Sequence, residues 1–279
     1  MRAPDCLVCD AHDVTALEPP HWRCRRCGFV FVHEPEAWRT RDYGALYAND
    51  TGLRIDAARR AMYDALLAAV PPFGSRRALD VGCGGGLFVR RAAAAGWDAV
   101  GIDPAAPDEA GPSHRFVRDG FPPPGPVPGT PFALVTFLGS LNYMDDPVAA
   151  LRAAREILEP GGLVLVRVPN VFAHGLVTRA ADAVGRRSRL GVWLRRGVVR
   201  HRRSFAARTL RTALTRAGFA DVRVEVSPPV PGDPYGSRVR GIAAAKVVIG
   251  AVTSAVARLS AQRLLLSPSL IARGTRRGC

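Results

Sequence analysis

A strand that ends on an acid and turns at once into closely spaced glycines constrains this chain more than anything else in it. The stretch Leu79-Asp80-Val81-Gly82-Cys83-Gly84-Gly85-Gly86-Leu87 follows Arg76-Arg77-Ala78 and precedes Phe88 to Ala95, an apolar, alanine-rich run with helical character. The order is strand, glycine turn, helix. Glycine permits positive φ and lets the backbone approach a bound molecule closely. The first turn of the helix adds N–H groups that have no partner inside it. Further strands are expected at Ala78–Val81, Ala99–Ile102, Arg115–Val117, Leu134–Phe137 and Leu163–Val168, with helical runs between them. That alternation predicts an α/β fold on a parallel sheet.

Spacing narrows the ligand. A dinucleotide turn, G-x-G-x-x-G, would need its third glycine at position 87, where Leu87 stands. The chain instead has Asp80 followed by Gly82, Gly84 and Gly86. Residues 98–103, Asp-Ala-Val-Gly-Ile-Asp, read as a second strand closed by Asp103, an acid placed to take both hydroxyls of a ribose. This pattern resembles motif I of the class I S-adenosylmethionine-dependent methyltransferases. The resemblance implies a Rossmann-like seven-stranded sheet of order 3-2-1-4-5-7-6. It implies S-adenosylmethionine as cofactor, bound by Asp80, Gly82, Gly84, Gly86 and Asp103. An acid after strand three often meets the adenine in this family, which makes Asp119 a candidate beside its plain reading as a turn residue.

A second block carries the same resemblance. Phe132-Ala133-Leu134-Val135-Thr136-Phe137-Leu138 is followed by Asp146-Pro147, a helix from Val148 to Leu158, Glu159-Pro160-Gly161-Gly162 and Val168-Pro169-Asn170. This is similar to the family's F-D-L-V, D-P, L-x-P-G-G and P-N series, and it puts Leu138 at a strand end facing the cofactor. Ala133 replaces the family's Asp, and Asn142-Tyr143 replaces Glu-His, so no role of that histidine carries over. His201-x-x-x-Phe205 and Ala217-Gly218-Phe219 resemble the family's next segment, with a helix from Phe205 to Ala217 between them. His201 and Tyr143 are the candidate general bases for a hydroxyl acceptor. Val222–Val226 and Leu270–Arg273 are the expected last two strands.

Four of the six cysteines lie near the start, as Cys6-x-x-Cys9 and Cys24-x-x-Cys27-Gly28, with fourteen residues between the pairs. Two such pairs bring four thiolates within tetrahedral reach of one Zn²⁺ and leave no open position, the signature of a structural site. Two redox C-x-x-C sites are the alternative, but neither pair opens a helix in a βαβ unit. The expected organisation is a zinc ribbon over residues 1–38 and a methyltransferase domain over 39–279, with its core at 76–226. Leu53 to Val70 reads as a helix with Ile55, Ala58, Met62, Leu66 and Ala69 on one face. In the resembling family a helix here covers the cofactor; Tyr43 and Tyr47 before it are packing or lid residues.

The chain carries a formal charge of +15, but only one of its 39 basic residues is lysine, Lys246, so genome composition competes with function as the cause. Nine arginines between Arg179 and Arg203 fall in a basic insertion, 171–203, interleaved with Leu190, Val192, Trp193 and Leu194. A solvated face, an anionic acceptor site and an interfacial membrane segment all fit it. A helical insertion at 236–262 repeats Ile242, Ala245, Ile249, Val252, Val256 and Leu259 at three- and four-residue steps. Packing on its own domain is the expectation there, and a homodimer through 242–259 the alternative. No apolar run reaches transmembrane length and no apolar signal region opens the chain, so a cytoplasmic location is expected. The reading is methyl transfer to a small-molecule or glycan-type acceptor in biosynthesis. An RNA base methyltransferase and a non-catalytic partner protein that keeps the cofactor fold are the alternatives.

Overall fold

The structure is a computed structural model, and it describes residues 3–17, 21–33, 50–71, 74–185, 187–196, 201–227 and 242–278. The first described strands are short: β1 (Val14–Ala16), β2 (His21–Cys24) and β3 (Val30–Val32), joined antiparallel. Helix α1 (Asp50–Ala68) buries Met62, Tyr63, Leu66 and Leu67. Tyr43 and Tyr47 lie outside the described residues. The central unit follows as β4 (Arg77–Val81), α2 (Leu87–Ala94) and β5 (Asp98–Ile102). Then come β6 (Ala110–Gly111), β7 (His114–Val117) and β8 (Phe132–Leu138). Helix α3 (Pro147–Ile157) leads into β9 (Leu158–Pro169). Helices α4 (Val171–Ala183) and α5 (Arg189–Arg196) pack on each other. The last elements are β10 (Arg203–Ser204), α6 (Ala207–Arg216), β11 (Ala220–Val226), α7 (Ile242–Leu259) and β12 (Ser269–Thr275).

The large sheet runs β11-β12-β9-β8-β4-β5-β7-β6. Its first seven strands in chain order, leaving out the two-residue edge strand β6, give the expected 3-2-1-4-5-7-6. β4, β5, β7, β8 and β9 are parallel, and β12 enters antiparallel between β9 and β11. Every residue of β8 is buried, as a central strand covered on both faces must be. Helix α3 starts where Asp146 accepts the N–H groups of Val148 and Ala149, with Pro147 in the first turn. It lays Val148, Leu151 and Ala154 into the core. The parallel strands therefore end together along one edge, where an open α/β sheet takes its ligands.

Three details differ from the sequence reading. β9 begins at Leu158, so the Glu159-Pro160-Gly161-Gly162 stretch is strand; Gly161 takes φ +80° beside a register shift between Phe132 and Leu134. Phe205 is not helical, because its carbonyl accepts the Val171 N–H and it bridges Asn170 before α6 begins. From Ile249 onward the apolar seam of α7 is largely exposed, with Val256 half-buried. Gly250 and Ala257, seven residues apart, are its buried positions, while Ile249 and Val252 are exposed and Leu259 is 90% exposed. Small residues on the inner face let the helix lie against β11 and leave the larger ones outside. No helix among the described residues is long and apolar enough to cross a membrane.

The small sheet holds a connection that the sequence does not announce. Its order is β1-β2-β3-β10, so a two-residue strand from far along the chain completes the N-terminal unit. Arg203 pairs with Phe31 and Ser204 with Val30.

Candidate functional site at the carboxyl edge of the sheet

The glycine turn is tight because its neighbours leave no room for side chains. Gly82 has φ +72°, and a Cβ there would fall 2.3 Å from the Ser140 Cβ. Gly86 has φ +78°, with the Phe116 ring 2.4 Å from a Cβ. Both positions demand glycine on conformation and on space. Ser140 donates to the Val81 carbonyl and ties the turn to the end of β8. Asp103 closes the other side: one carboxylate oxygen accepts the Gly84 N–H at 3.0 Å and the other the Ala105 N–H at 2.8 Å. The turn after β4 and the acid after β5 are thus in direct contact.

Asp80 is buried one step behind the turn and accepts the Thr136 hydroxyl at 2.6 Å. Burial pushes its carboxyl up to about 7, the Thr136 hydrogen bond opposes that shift, and the negative charge of Asp103 adds to it. Leu138 ends β8, buried and paired with Arg167 of β9. Asp119 follows β7 at the same edge, half-buried, and its carboxylate accepts the N–H of the adjacent Gly120 at 2.6 Å. Of the cofactor candidates, Asp80, the three glycines, Asp103 and Leu138 lie at the ends of β4, β5 and β8, and Asp119 at the end of β7.

A second cluster sits beyond β8. After Leu138 the chain makes a single 3-10 turn, Leu141–Tyr143. His201 lies against it, buried: the Asn142 amide donates to its Nδ1 at 3.1 Å, and the Tyr143 hydroxyl lies 3.1 Å from the same nitrogen. The Tyr143 and His201 rings meet edge to face at 5.8 Å. Asn142 Oδ1 has no hydrogen-bond partner among the described residues. Turning that amide end for end would put Oδ1 on the ring nitrogen and reverse the tautomer; in either state Nδ1 is engaged. Asn170 has a structural task. Its side chain caps α4 through Phe172 N–H and holds the Leu265 and Ser267 carbonyls at 2.8 and 2.9 Å.

The four N-terminal cysteines form one group, with every sulfur within 4.8 Å of the others. Cys6 and Cys27 lie 3.6 Å apart, Cys9 and Cys24 3.5 Å. A tetrahedron of Zn–S bonds of about 2.3 Å has edges of about 3.8 Å, so the cluster fits that ion. Each pair is followed by a residue with positive φ, Asp10 and Gly28. The Cys27 thiol beside it holds Cys6 well below the usual thiol range, and burial pushes Cys9 up. A chain of four crowded thiols that already favours one thiolate is ready for a divalent cation.

Sequence reasoning missed four contributors. Thr136 looked like an ordinary strand residue. Asn142 was read only as the loss of an acid. Arg202 and Arg203 were counted with the basic insertion, yet both are buried: Arg202 pairs with Asp145, and Arg203 reaches the Val32 carbonyl at 2.7 Å. The one available signal was their position beside His201.

Comparison with known proteins agrees with the geometry. The family described as "Methyltransferase domain" matches residues 55–224. A ubiquinone biosynthesis O-methyltransferase of Cereibacter sphaeroides is 36% identical over 131 residues, 42% of this chain and 52% of that protein. One from Dinoroseobacter shibae is 30% identical over 185 residues, 61% of this chain and 71% of that protein. The chain thus spans about half the length of the first of these curated relatives. Among solved structures, the complex of the Haloferax volcanii Trm112 methyltransferase activator with a methyltransferase aligns at TM-score 0.54 and 16% identity, over 85% of this chain and 98% of that one. The [4+2]-cyclase SpnF aligns at TM-score 0.50 and 21% identity, over 79% and 81%. At those identities the likeness is one of fold.

Proposed function

This chain belongs to the methyltransferase-domain family, and from that premise we propose that it binds S-adenosylmethionine and moves the methyl group to a hydroxyl of a small, quinone-type acceptor. The observation that carries the reading is the Gly84 N–H on the Asp103 carboxylate. It joins a turn fit for a cofactor's polar end to an acid fit for a ribose. The names of the curated relatives support a ring hydroxyl as the acceptor. Methyl transfer from the purified protein to a catechol-type acceptor, followed by mass spectrometry, tests it.

The cofactor supplies an activated methyl on sulfonium sulfur. The chain's own task is alignment, which removes entropy from an in-line displacement. Gly82, Gly84 and Gly86 give backbone access, Asp103 takes the ribose hydroxyls, and Asp80 supplies negative charge below the turn. Asp119 serves the adenine and Leu138 the apolar wall. On the acceptor side His201 takes the hydroxyl proton, directly or through Tyr143, and Asn142 steadies the ring. Arg202 and Arg203 are occupied inside the fold, which removes two arginines from any RNA-binding face.

The four cysteines would hold a structural Zn²⁺. Residues 1–38 and 39–279 are the two units we assign, stitched together by β10. We place the protein in the cytoplasm. Exposed Ile249, Val252 and Leu259 on α7 support a homodimer through that helix. Sedimentation of wild type against Val252→Asp tests this: a dimer made monomeric by the aspartate supports it, and a wild-type monomer rejects it.

A further inference from the structure

The segment that delivers His201 is built by the N-terminal unit as much as by the large domain. His201, Arg202, Arg203, Ser204 and Phe205 are all buried. On one side, Arg203 and Ser204 pair with β3, and the Val32 N–H donates to the Arg202 carbonyl at 3.0 Å. Phe205 meets Phe29 at 5.1 Å between centroids, and Phe29 stacks on Phe31 at 5.4 Å. Two residues into α6, the Thr209 hydroxyl donates to the carbonyl of Cys27 itself at 2.7 Å. At the end of α6, Arg216 donates to the Val8 carbonyl at 2.8 Å and pairs with Asp10. Both cysteine knuckles are therefore bonded to the helix that follows His201.

The other side of the same segment faces the acceptor cluster. Arg203 spans the two with its guanidinium alone. Its Nη1 donates to the Val32 carbonyl in β3 at 2.7 Å, and its Nη2 donates to the Asp145 carbonyl at 3.1 Å, two residues past Tyr143. Arg202 adds a bond to the Tyr143 carbonyl at 3.3 Å and its pair with Asp145. Burying a cation is expensive, and an apolar residue of similar volume would fill the space at lower cost. Burial and the neighbouring Arg202 charge lower the Arg203 guanidinium to about 10, which registers that cost. What an apolar side chain cannot do is hold a carbonyl from each unit at a fixed separation.

We propose that Arg203 is a positioning residue that ties β3 of the four-cysteine unit to the turn bearing Asn142 and Tyr143, so that the metal state of the cysteines sets the contact between His201 and those two side chains. The proposal builds on the acceptor-side role of His201 given above, but its test does not depend on that role. The bonds of Arg202 and Arg203 end on β3, Tyr143 and Asp145 and not on the cofactor turn, so the coupling acts on the acceptor half of the edge.

The test compares the zinc-loaded protein, the same protein stripped by a chelator and then reloaded with zinc chloride, and Arg203→Met, which keeps the length and removes the donors. Imidazole ¹⁵N resonances, with His201 assigned by its absence in His201→Gln, read the Nδ1 contact. Calorimetry with S-adenosylmethionine reads the cofactor half. In the stripped protein and in Arg203→Met the His201 Nδ1 signal leaves its wild-type position, reloading zinc restores it only where Arg203 is present, and cofactor affinity changes less than about twofold, a difference of about 0.4 kcal/mol. Should Arg203→Met fail to fold, Arg203→Lys, with a single ammonium in place of the fork, takes its place with the same expectation. An unmoved His201 signal in folded, zinc-stripped protein or in the folded Arg203 variant overturns the proposal. Absence of S-adenosylmethionine binding in the wild type would instead count against the function proposed above and leave this coupling standing.

Discussion

Tyr143 and His201, fifty-eight residues apart in the chain, bring hydroxyl and Nδ1 to 3.1 Å. Their meeting sets the proposed acceptor-side pair next to the end of β8, while the cofactor candidates lie on the glycine turn, Asp103 and the ends of β7 and β8. The two halves are separable by mutation. His201→Gln lowers turnover by ~10²–10⁴-fold and leaves S-adenosylmethionine affinity unchanged. Steady-state kinetics beside calorimetry check this. If turnover persists and only the melting temperature falls, His201 is a packing residue.

Asp80 links cofactor binding to pH. Its carboxyl stands at about 7 in the folded chain against an unfolded value of 3.8, because burial disfavours the charge. The folded state therefore binds more protons than the unfolded one between those values, and the group's stability contribution falls as pH rises from about 4 to 7. Asp80→Asn raises the stability of the cofactor-free protein, by nothing near pH 3.8 and by a gain that levels off above about pH 7. Its ceiling is on the order of 4 kcal/mol at 1.36 kcal/mol per unit. The same change weakens binding of the positively charged cofactor. Denaturant melts at pH 5 and 8 measure the first effect and calorimetry the second. A gain that is equal at both pH values contradicts a carboxyl raised to about 7 by burial.

Gly82 tests the turn itself. Gly82→Ala puts a methyl 2.3 Å from the Ser140 Cβ at φ +72°. The left-handed conformation costs about 1–2 kcal/mol and the overlap adds to it. Cofactor affinity and the melting temperature both fall. The double variant Gly82→Ala, Ser140→Gly recovers part of the loss if the clash is the cause, and none of it if the strained φ alone is.

The purified protein carries about one zinc per chain, and Cys24→Ser loses it. Elemental analysis with a thiol count decides between this and two disulfides. Metal-free protein with no titratable thiols among Cys6, Cys9, Cys24 and Cys27 would rule the metal out.

Much of the sheet could be read from local pattern. Val81 and Ile102 are adjacent strand ends because both precede turns that the sequence marks, Gly82 in one case and Asp103 in the other. The pairing of Ser204 with Val30 has no such mark. Two residues make a strand only because the partner chain is already there, and no period in the sequence records a partner that distant. Helix α7 shows the opposite failure. Its spacing of Ile249, Val252, Val256 and Leu259 is helical, but spacing states a face and not which side is buried. Gly250 and Ala257 occupy the inside because close approach to β11 rewards small side chains there over large ones. Asn142 was visible only as a departure from a family pattern, and its contact with His201 required the turn to be seen.

The Gly84–Asp103 contact is the floor of the proposed cofactor site. Isothermal calorimetry of S-adenosylmethionine with wild type and Asp103→Ala measures it, with NAD as the competing ligand. Binding by wild type, none of NAD, and a loss of about 1.5–3 kcal/mol in Asp103→Ala are expected for hydrogen bonds to a charged group. Unchanged affinity in Asp103→Ala, or no binding by the wild type, would contradict it.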